Sequence, residues 1–186
     1  MGKRSNFERN PRDFYPTPEA AVLPLLPHLP RDGTYIEPCA GDGALMKTLW
    51  KHGYHCVWAG DIEPRVKLVP GTSSQRVQTF DALKLSYIEH EQADCIITNP
   101  PWSREVLHPL IIECVGVAPT WLLIDADWVH TKQAALFTPM LRKVVSVGRV
   151  KWIPDSKMTG KDNCAWHLFD RSSMNEPTVF YGRAAE

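Results

Sequence analysis

Short runs of apolar and β-branched residues recur along this chain, and they do not alternate with polar residues. They are "TYIEPCA" (34–40), "HCVWAGDI" (55–62), "RVQTFDA" (76–82), "ADCIITN" (93–99), "TWLLIDA" (120–126), "VVSVGRV" (144–150) and "CAWHLFD" (164–170). A strand that is apolar on both sides has to be covered on both sides, which is the situation in a mainly parallel sheet sandwiched between helices. The intervals supply the helices. "GALMKTLWKHG" (43–53) is amphipathic and ends in glycine, and 104–117 and 130–143 carry further helical patterns. The segment "PTPEAAVLPLLPHLP" (16–30) is ambiguous, because its leucines suggest a helix that Pro24 and Pro27 would kink or end.

With 186 residues, 44% hydrophobic and 23% charged, the chain is expected to form one globular domain over 1–186, with an N-terminal arm at 1–16. No apolar stretch reaches membrane-spanning length, and "MGKRSNFERNPRDF" lacks the apolar segment of a signal peptide. A cytoplasmic protein is the expectation. Cys39, Cys56, Cys95, Cys114 and Cys164 are odd in number and without C-x-x-C spacing, and the seven histidines form no H-x-x-x-H pair, so free thiols and no metal site are expected.

In a sheet of this kind ligands bind beyond the carboxyl ends of the strands. The first run ends in "EPCAGDG", where Gly41 and Gly43 permit a sharp turn and a close approach of backbone to ligand. The full G-x-G-x-x-G is absent, as is the GK[ST] of a P-loop. The acidic Glu37 and Asp42 argue against a phosphate and for a ligand bearing positive charge. The second run ends in "GDIE", placing Asp61 20 residues after Gly41, where a carboxylate accepts both hydroxyls of a ribose. The third ends with Asp81, suited to an adenine amino group. Each aspartate alone is more often a helix or turn cap; three acidic strand ends in succession point to a nucleoside with a cationic tail. S-adenosylmethionine fits that description.

The fourth run stops at "NPPW", 99–102. Proline donates nothing to a sheet ladder, so the strand ends abruptly and displays a carboxamide, a proline carbonyl and an indole. Exocyclic amino nitrogens are poor nucleophiles because their lone pair is delocalised. Two acceptors that bind both N–H hydrogens favour a pyramidal nitrogen and aim its lone pair at an incoming methyl group. The Asn99 side-chain oxygen and the Pro100 carbonyl are such acceptors, Pro101 stiffens the turn, and Trp102 offers a face for stacking a ring.

These residues together resemble the amino-group methyltransferases of DNA, particularly the adenine-N6 enzymes, over nearly the whole chain and in a consistent order. "DFYPTP" (13–18) looks like their N-terminal cofactor motif, "EPCAGDG" like their glycine loop, and "NPPW" like their catalytic motif. The resemblance implies a Rossmann-like methyltransferase fold of the α/β class. That fold is a seven-stranded, mainly parallel sheet with the last strand antiparallel and helices on both faces. It further implies that S-adenosylmethionine is held by Phe14, Tyr15, Thr17, Glu37, Ala40, Gly41, Asp61, Ile62 and Asp81. The target base falls to Asn99, Pro100, Pro101 and Trp102. Asparagine rather than serine at position 99 favours adenine over cytosine N4, and tryptophan stands where the family usually has Tyr or Phe.

Members that recognise a sequence usually add a recognition domain or long insertions, and no separate target-recognition domain is visible here. A compact form of this kind also resembles methyltransferases of bacterial viruses. Lys+Arg and Asp+Glu are both 21, yet two basic stretches stand out: Lys3, Arg4, Arg9 and Arg12 in the arm, and Arg142, Lys143, Arg149, Lys151, Lys157 and Lys161 against Asp155. Such rims suit phosphates, or are simply solvated segments. The partner expected is nucleic acid, DNA in particular. Alternatives are an RNA adenine-N6 methyltransferase, a protein glutamine amide methyltransferase, and a cofactor-binding subunit of a methylating complex. Asp125 and Asp127 are expected to cap the fifth strand, and Trp166 and His167 to be core.

Overall fold

The four residues Cys95–Thr98 are all buried, and successive side chains enter different cores. Ile97 joins the cluster beneath the N-terminal helices, whereas Ile96 packs with Leu110, Cys114 and Leu85 on the opposite side. This two-sided burial is why the run reads as continuously apolar and why it lies in the middle of the sheet. The computed structural model describes residues 14–87, 92–153 and 159–183. Its strands are β1 (Thr34–Glu37), β2 (His55–Asp61), β3 (Gln78–Thr79), β4 (Cys95–Thr98), β5 (Thr120–Asp125), β6 (Leu141–Gly148), β7 (Cys164–Phe169) and β8 (Val179–Tyr181). They form one sheet in the order β3-β2-β1-β4-β5-β7-β6-β8. Strands β1 to β5 pair in parallel, and β7 runs antiparallel between β5 and β6.

Helices cover both faces, as expected. On one side α1 (Glu19–Val22), the 3-10 helix Leu23–His28 and α2 (Ala44–Lys51) pack on Tyr35, Ile97, Trp121, Leu123 and Trp166. On the other, α3 (Arg104–Val117) covers Ile96, Leu122 and Ile124 through Leu107, Leu110, Ile111 and Cys114. The helical stretch 104–117 has the bounds expected for it, although Pro109 inside it removes one backbone donor. No helix among the described residues is long and apolar enough to cross a membrane.

Three expectations need correction. The sheet has eight strands, not seven: β8 adds to the edge, parallel to β6, so the antiparallel strand is the seventh and not the last. The segment 130–143 is no single helix. It breaks into 3-10 turns at Lys132–Leu136 and Thr138–Met140, after one at Ala126–His130, and β6 already starts at Leu141. Thr131 accepts from the Ala134 N–H and so caps one turn, while Pro139 enters the next as a residue without a donor. The third strand shrinks to two residues. In the ambiguous N-terminal segment, α1 lasts four residues before Pro24 and Pro27 turn it into a 3-10 helix.

Trp166, expected in the core, is fully buried on β7 and donates its indole N–H to the Ala21 carbonyl at 2.7 Å. That bond ties α1 to a strand 145 positions away. Trp166→Phe keeps an aromatic ring but orphans a buried carbonyl and leaves a small void. The expected loss is about 1–3 kcal/mol of stability, read as a lower urea midpoint at unchanged slope. A midpoint equal to wild type would show that α1 is held by other contacts.

Candidate functional site: a cofactor cleft beside the Asn-Pro-Pro-Trp turn

The carboxyl ends of β1, β2 and β4, together with the segment 14–17, enclose a cavity of about 770 Å³. That volume suits a nucleoside-sized ligand. Eleven of the thirteen residues selected from the sequence line it: Phe14, Tyr15, Thr17, Glu37, Ala40, Gly41, Asp61, Ile62, Asp81, Asn99 and Pro101. Pro100 is buried and Trp102 half-buried, and neither is part of the lining.

The wall is built around the turn after β1. Gly41 has φ +51°, and a Cβ on it would stand 2.8 Å from the Phe14 ring, so only glycine lets that ring lie against the turn. Asp61, at the end of β2, uses both carboxylate oxygens: one accepts the Gly41 N–H at 2.8 Å, the other the Glu63 N–H at 2.7 Å. Asp81 accepts the Leu83 N–H at 3.0 Å and thereby starts the 3-10 helix Ala82–Tyr87. It is therefore a cap and a cavity residue at once. Asp125 caps in the same way, accepting from the Asp127 N–H at 3.0 Å, whereas Asp127 is exposed and outside the cavity lining.

Glu37 is 1% exposed. Its Oε1 accepts the Cys39 N–H at 3.0 Å, and its Oε2 has no hydrogen-bond partner. Burial pushes the carboxyl up to about 8, against the nearby Thr98 hydroxyl and the Cys39 N–H, which favour the ion; the Asp61 charge adds to the rise. The Thr98 hydroxyl is itself buried without a partner at bonding geometry. The floor of the cleft therefore holds an acid that is largely neutral near pH 7 and would welcome a cation.

On the opposite side, Asn99 donates its Nδ2 to the Thr17 hydroxyl at 3.1 Å. This commits the amide nitrogen and leaves Oδ1 as the acceptor of that side chain. The Trp102 indole donates to the Leu123 carbonyl at 3.0 Å, which anchors it to β5. Trp152 stands edge-on to Trp102, with ring centroids 5.9 Å apart, and lies 6.4 Å from Tyr15. Trp152 was not singled out in the sequence, where its loop drew attention only for its lysines. An aromatic residue among cations beyond a strand end was the available signal. Ser103, Val106 and Arg65 also line the cleft unforeseen.

One basic residue must be struck from the rim. Arg142 is buried and donates to the backbone carbonyls of Met140, Pro139 and Glu176, so it pins the tail instead of facing solvent. Arg149, Lys151 and Lys161 are exposed, and Lys143 is half-buried. Lys3, Arg4, Arg9, Arg12, Asp155 and Lys157 lie outside the described residues. Among the described residues no group of three His, Cys, Asp or Glu side chains could hold a metal ion.

No family model matches the chain. A curated relative, the type II methyltransferase M.VspI of Vibrio sp. (strain 343), is 27% identical over 115 residues, covering 55% of this chain. The chain spans 28% of that relative's length. Among solved structures, a type I restriction-modification methyltransferase subunit from Streptococcus thermophilus superposes with a TM-score of 0.61 at 11% identity, covering 92% of this chain and 49% of that one. A protein from Pyrococcus horikoshii assigned as an RNA methyltransferase gives a TM-score of 0.58 at 16% identity over 89% of this chain and 92% of that one. The fold is the Rossmann-like one of these methyltransferases and of a solved S-adenosylmethionine-dependent methyltransferase from Corynebacterium glutamicum. The donor set agrees with such a cofactor: an orphaned carboxyl oxygen and several acids for its cationic tail, and strand-end aspartates for its nucleoside.

Glu37 yields a test of the electrostatics. A carboxyl whose native-state value lies above its unfolded one holds a proton that the unfolded chain gives up, so its stabilising effect is present at low pH and lost as pH rises toward 8. Stability of the ligand-free protein is expected to fall over that window. Glu37→Gln, which cannot ionise, should flatten the slope and be the more stable form at about pH 8, by on the order of 1–3 kcal/mol. Urea denaturation across the window measures it; a variant retaining the wild-type slope would show that Glu37 is already ionised in the native state.

Proposed function

We propose that this chain transfers a methyl group from S-adenosylmethionine to the exocyclic N6 amino group of adenine in DNA. The observation that carries the proposal is the fixed Asn99 carboxamide, whose nitrogen is held by Thr17 while its oxygen remains an acceptor at the end of β4, beside the acidic cleft. When bound, S-adenosylmethionine supplies an electrophilic methyl group on a sulfonium. The chain's own part is orientation. Asn99 Oδ1 and the Pro100 carbonyl accept the two N–H hydrogens of the target nitrogen and turn its lone pair toward the cofactor, and preorganised acceptors of this kind need no rearrangement during reaction.

The aromatic group formed by Trp102, Trp152 and Tyr15 is proposed to receive the adenine ring, which has to leave a duplex stack to reach Asn99. Asp61, Asp81 and Ile62 are assigned to the nucleoside of the cofactor. Glu37 lies toward its cationic tail, with Phe14, Tyr15, Thr17, Ala40 and Gly41 closing around it. DNA as the substrate is supported by the relative from Vibrio, named as a type II methyltransferase, and by the subunit from Streptococcus thermophilus, named as part of a type I restriction-modification system. The exposed Arg149, Lys151 and Lys161 are the described cations suited to phosphates, and we place the reaction in the cytoplasm of a bacterial or phage-infected cell. RNA is the second reading, because a protein assigned to RNA methylation shares the fold over 89% of this chain.

Asn99→Ala is expected to leave cofactor affinity nearly intact and to lower turnover by a factor on the order of 10²–10³. Calorimetry and single-turnover kinetics separate the two effects, and equal loss of binding and rate would make Asn99 structural. The substrate test offers labelled cofactor to duplex DNA, single-stranded DNA, ribosomal and transfer RNA, and a glutamine-bearing peptide, followed by nucleoside and amino-acid analysis. Label in N6-methyladenine from DNA is the expected outcome. Label only in RNA or peptide would move the chain to another class, and no transfer at all would favour a cofactor-binding subunit.

A further inference from the structure

The cleft is markedly acidic. Glu37, Asp42, Asp61, Glu63 and Asp81 line it, and among the described lining residues Arg65 alone is a lysine or arginine. The cofactor proposed above has two cationic groups, which suit those acids, and one carboxylate, which they repel. A carboxylate in such a site needs donors of its own. A glycine turn would ordinarily supply backbone N–H groups, but here all but that of Asp42 are engaged. The N–H of Cys39 goes to Glu37, that of Ala40 to the Gly60 carbonyl, and that of Gly41 to Asp61. Gly43 donates to Ala40 and Ala44 to Asp42.

Arg65 is held where a donor is missing. Its backbone N–H bonds the Gly41 carbonyl at 2.8 Å, which fixes the residue to the turn. Its guanidinium carbon lies 3.9 Å from the centroid of the Phe14 ring, the same ring that rests on Gly41. Stacking on an aromatic face orients the planar fork while leaving its N–H edge available for bidentate contact. Phe14 thus serves as a platform that presents Arg65 at the mouth of the cleft.

We infer that Arg65 binds the carboxylate of the cofactor's amino-acid tail, and that the Phe14–Arg65 stack is the element by which this chain distinguishes a complete cofactor from a bare nucleoside. The inference rests on the cofactor reading above and adds to it a residue that the resemblance did not supply. A charge-assisted fork on a carboxylate in a partly open site corresponds to about a 10- to 100-fold change in affinity.

The test measures binding of two probes to the full chain by calorimetry. S-adenosylhomocysteine has the amino-acid tail; 5′-deoxy-5′-methylthioadenosine keeps the nucleoside and thioether but lacks that tail. Arg65→Ala is expected to weaken S-adenosylhomocysteine about 10- to 100-fold while leaving the tail-less probe within about two-fold. Arg65→Lys, which keeps charge but not the fork, should recover part of the loss. Equal weakening of both probes would mean that Arg65 only supports Phe14, and no weakening of either would mean that it faces solvent; each result overturns the inference. Wild-type protein that binds neither probe overturns the cofactor reading itself, and this inference with it. Circular dichroism of each variant confirms that a lost affinity is not lost folding.

Discussion

One carboxylate organises the cleft. Asp61 accepts from Gly41 on one oxygen and from Glu63 on the other, so the turn after β1 and the loop after β2 are fastened to a single side chain. Everything lining that corner follows from this clasp. With Gly41 held, its positive φ leaves the space in which Phe14 lies, and Arg65 closes over Phe14 from the loop that Glu63 begins. A carboxylate has about four lone-pair sites, so two N–H bonds do not exhaust it. The same group that builds the wall keeps capacity for ligand hydroxyls, and in the proposed function it would serve both ends.

The cleft also illustrates why a binding site is a poor place to look for folding economy. Glu37 is carried on a central strand into full burial, one of its oxygens is unpartnered, and its neighbour Asp61 raises the cost of ionising it. An apolar residue in that position would stabilise the sheet better. The surrounding core tolerates the cost because β1 and β4 are packed on both faces by large buried side chains, Ile36 and Ile96 in one cluster, Tyr35 and Ile97 in another. Neutral Glu37 is the cheap state while no cation is present. A ligand bearing an ammonium or sulfonium would reverse the preference, so an acid that is awkward for the free protein becomes complementary to the bound one.

How far the sequence could be read depended on what each segment packs against. The central strands β1, β2, β4, β5 and β7 were legible because burial on both faces leaves runs that polar residues do not interrupt, and the site residues at their ends came with them. The edges were not. β3 keeps two paired residues, and β8 is a run of three exposed residues that only its pairing with β6 makes a strand. The helical periodicity of 130–143 was real in composition but was overruled by Thr131 capping and by Pro139. Arg142 looked like a surface cation because nothing local shows that three carbonyls converge on it. Trp152 and Arg65 escaped for the same reason: their significance lies in rings 50 residues or more away, Trp102 in one case and Phe14 in the other.

That last kind of contact bears on how the two halves of the site are set relative to each other. Asn99 directly follows β4, but its carboxamide is oriented by Thr17, which belongs to the same short segment as Phe14 and Tyr15. Trp102, three residues on, is anchored by the Leu123 carbonyl of β5. Phe14 rests on the glycine turn and under Arg65, and Tyr15 approaches Trp152. A ligand that fills the cleft therefore presses on the very segment that aims the Asn99 amide, whereas the aromatic wall at Trp102 is already fixed to the sheet. On the proposed reading, the segment that closes on the cofactor is also the one that holds the catalytic acceptor in its preorganised direction.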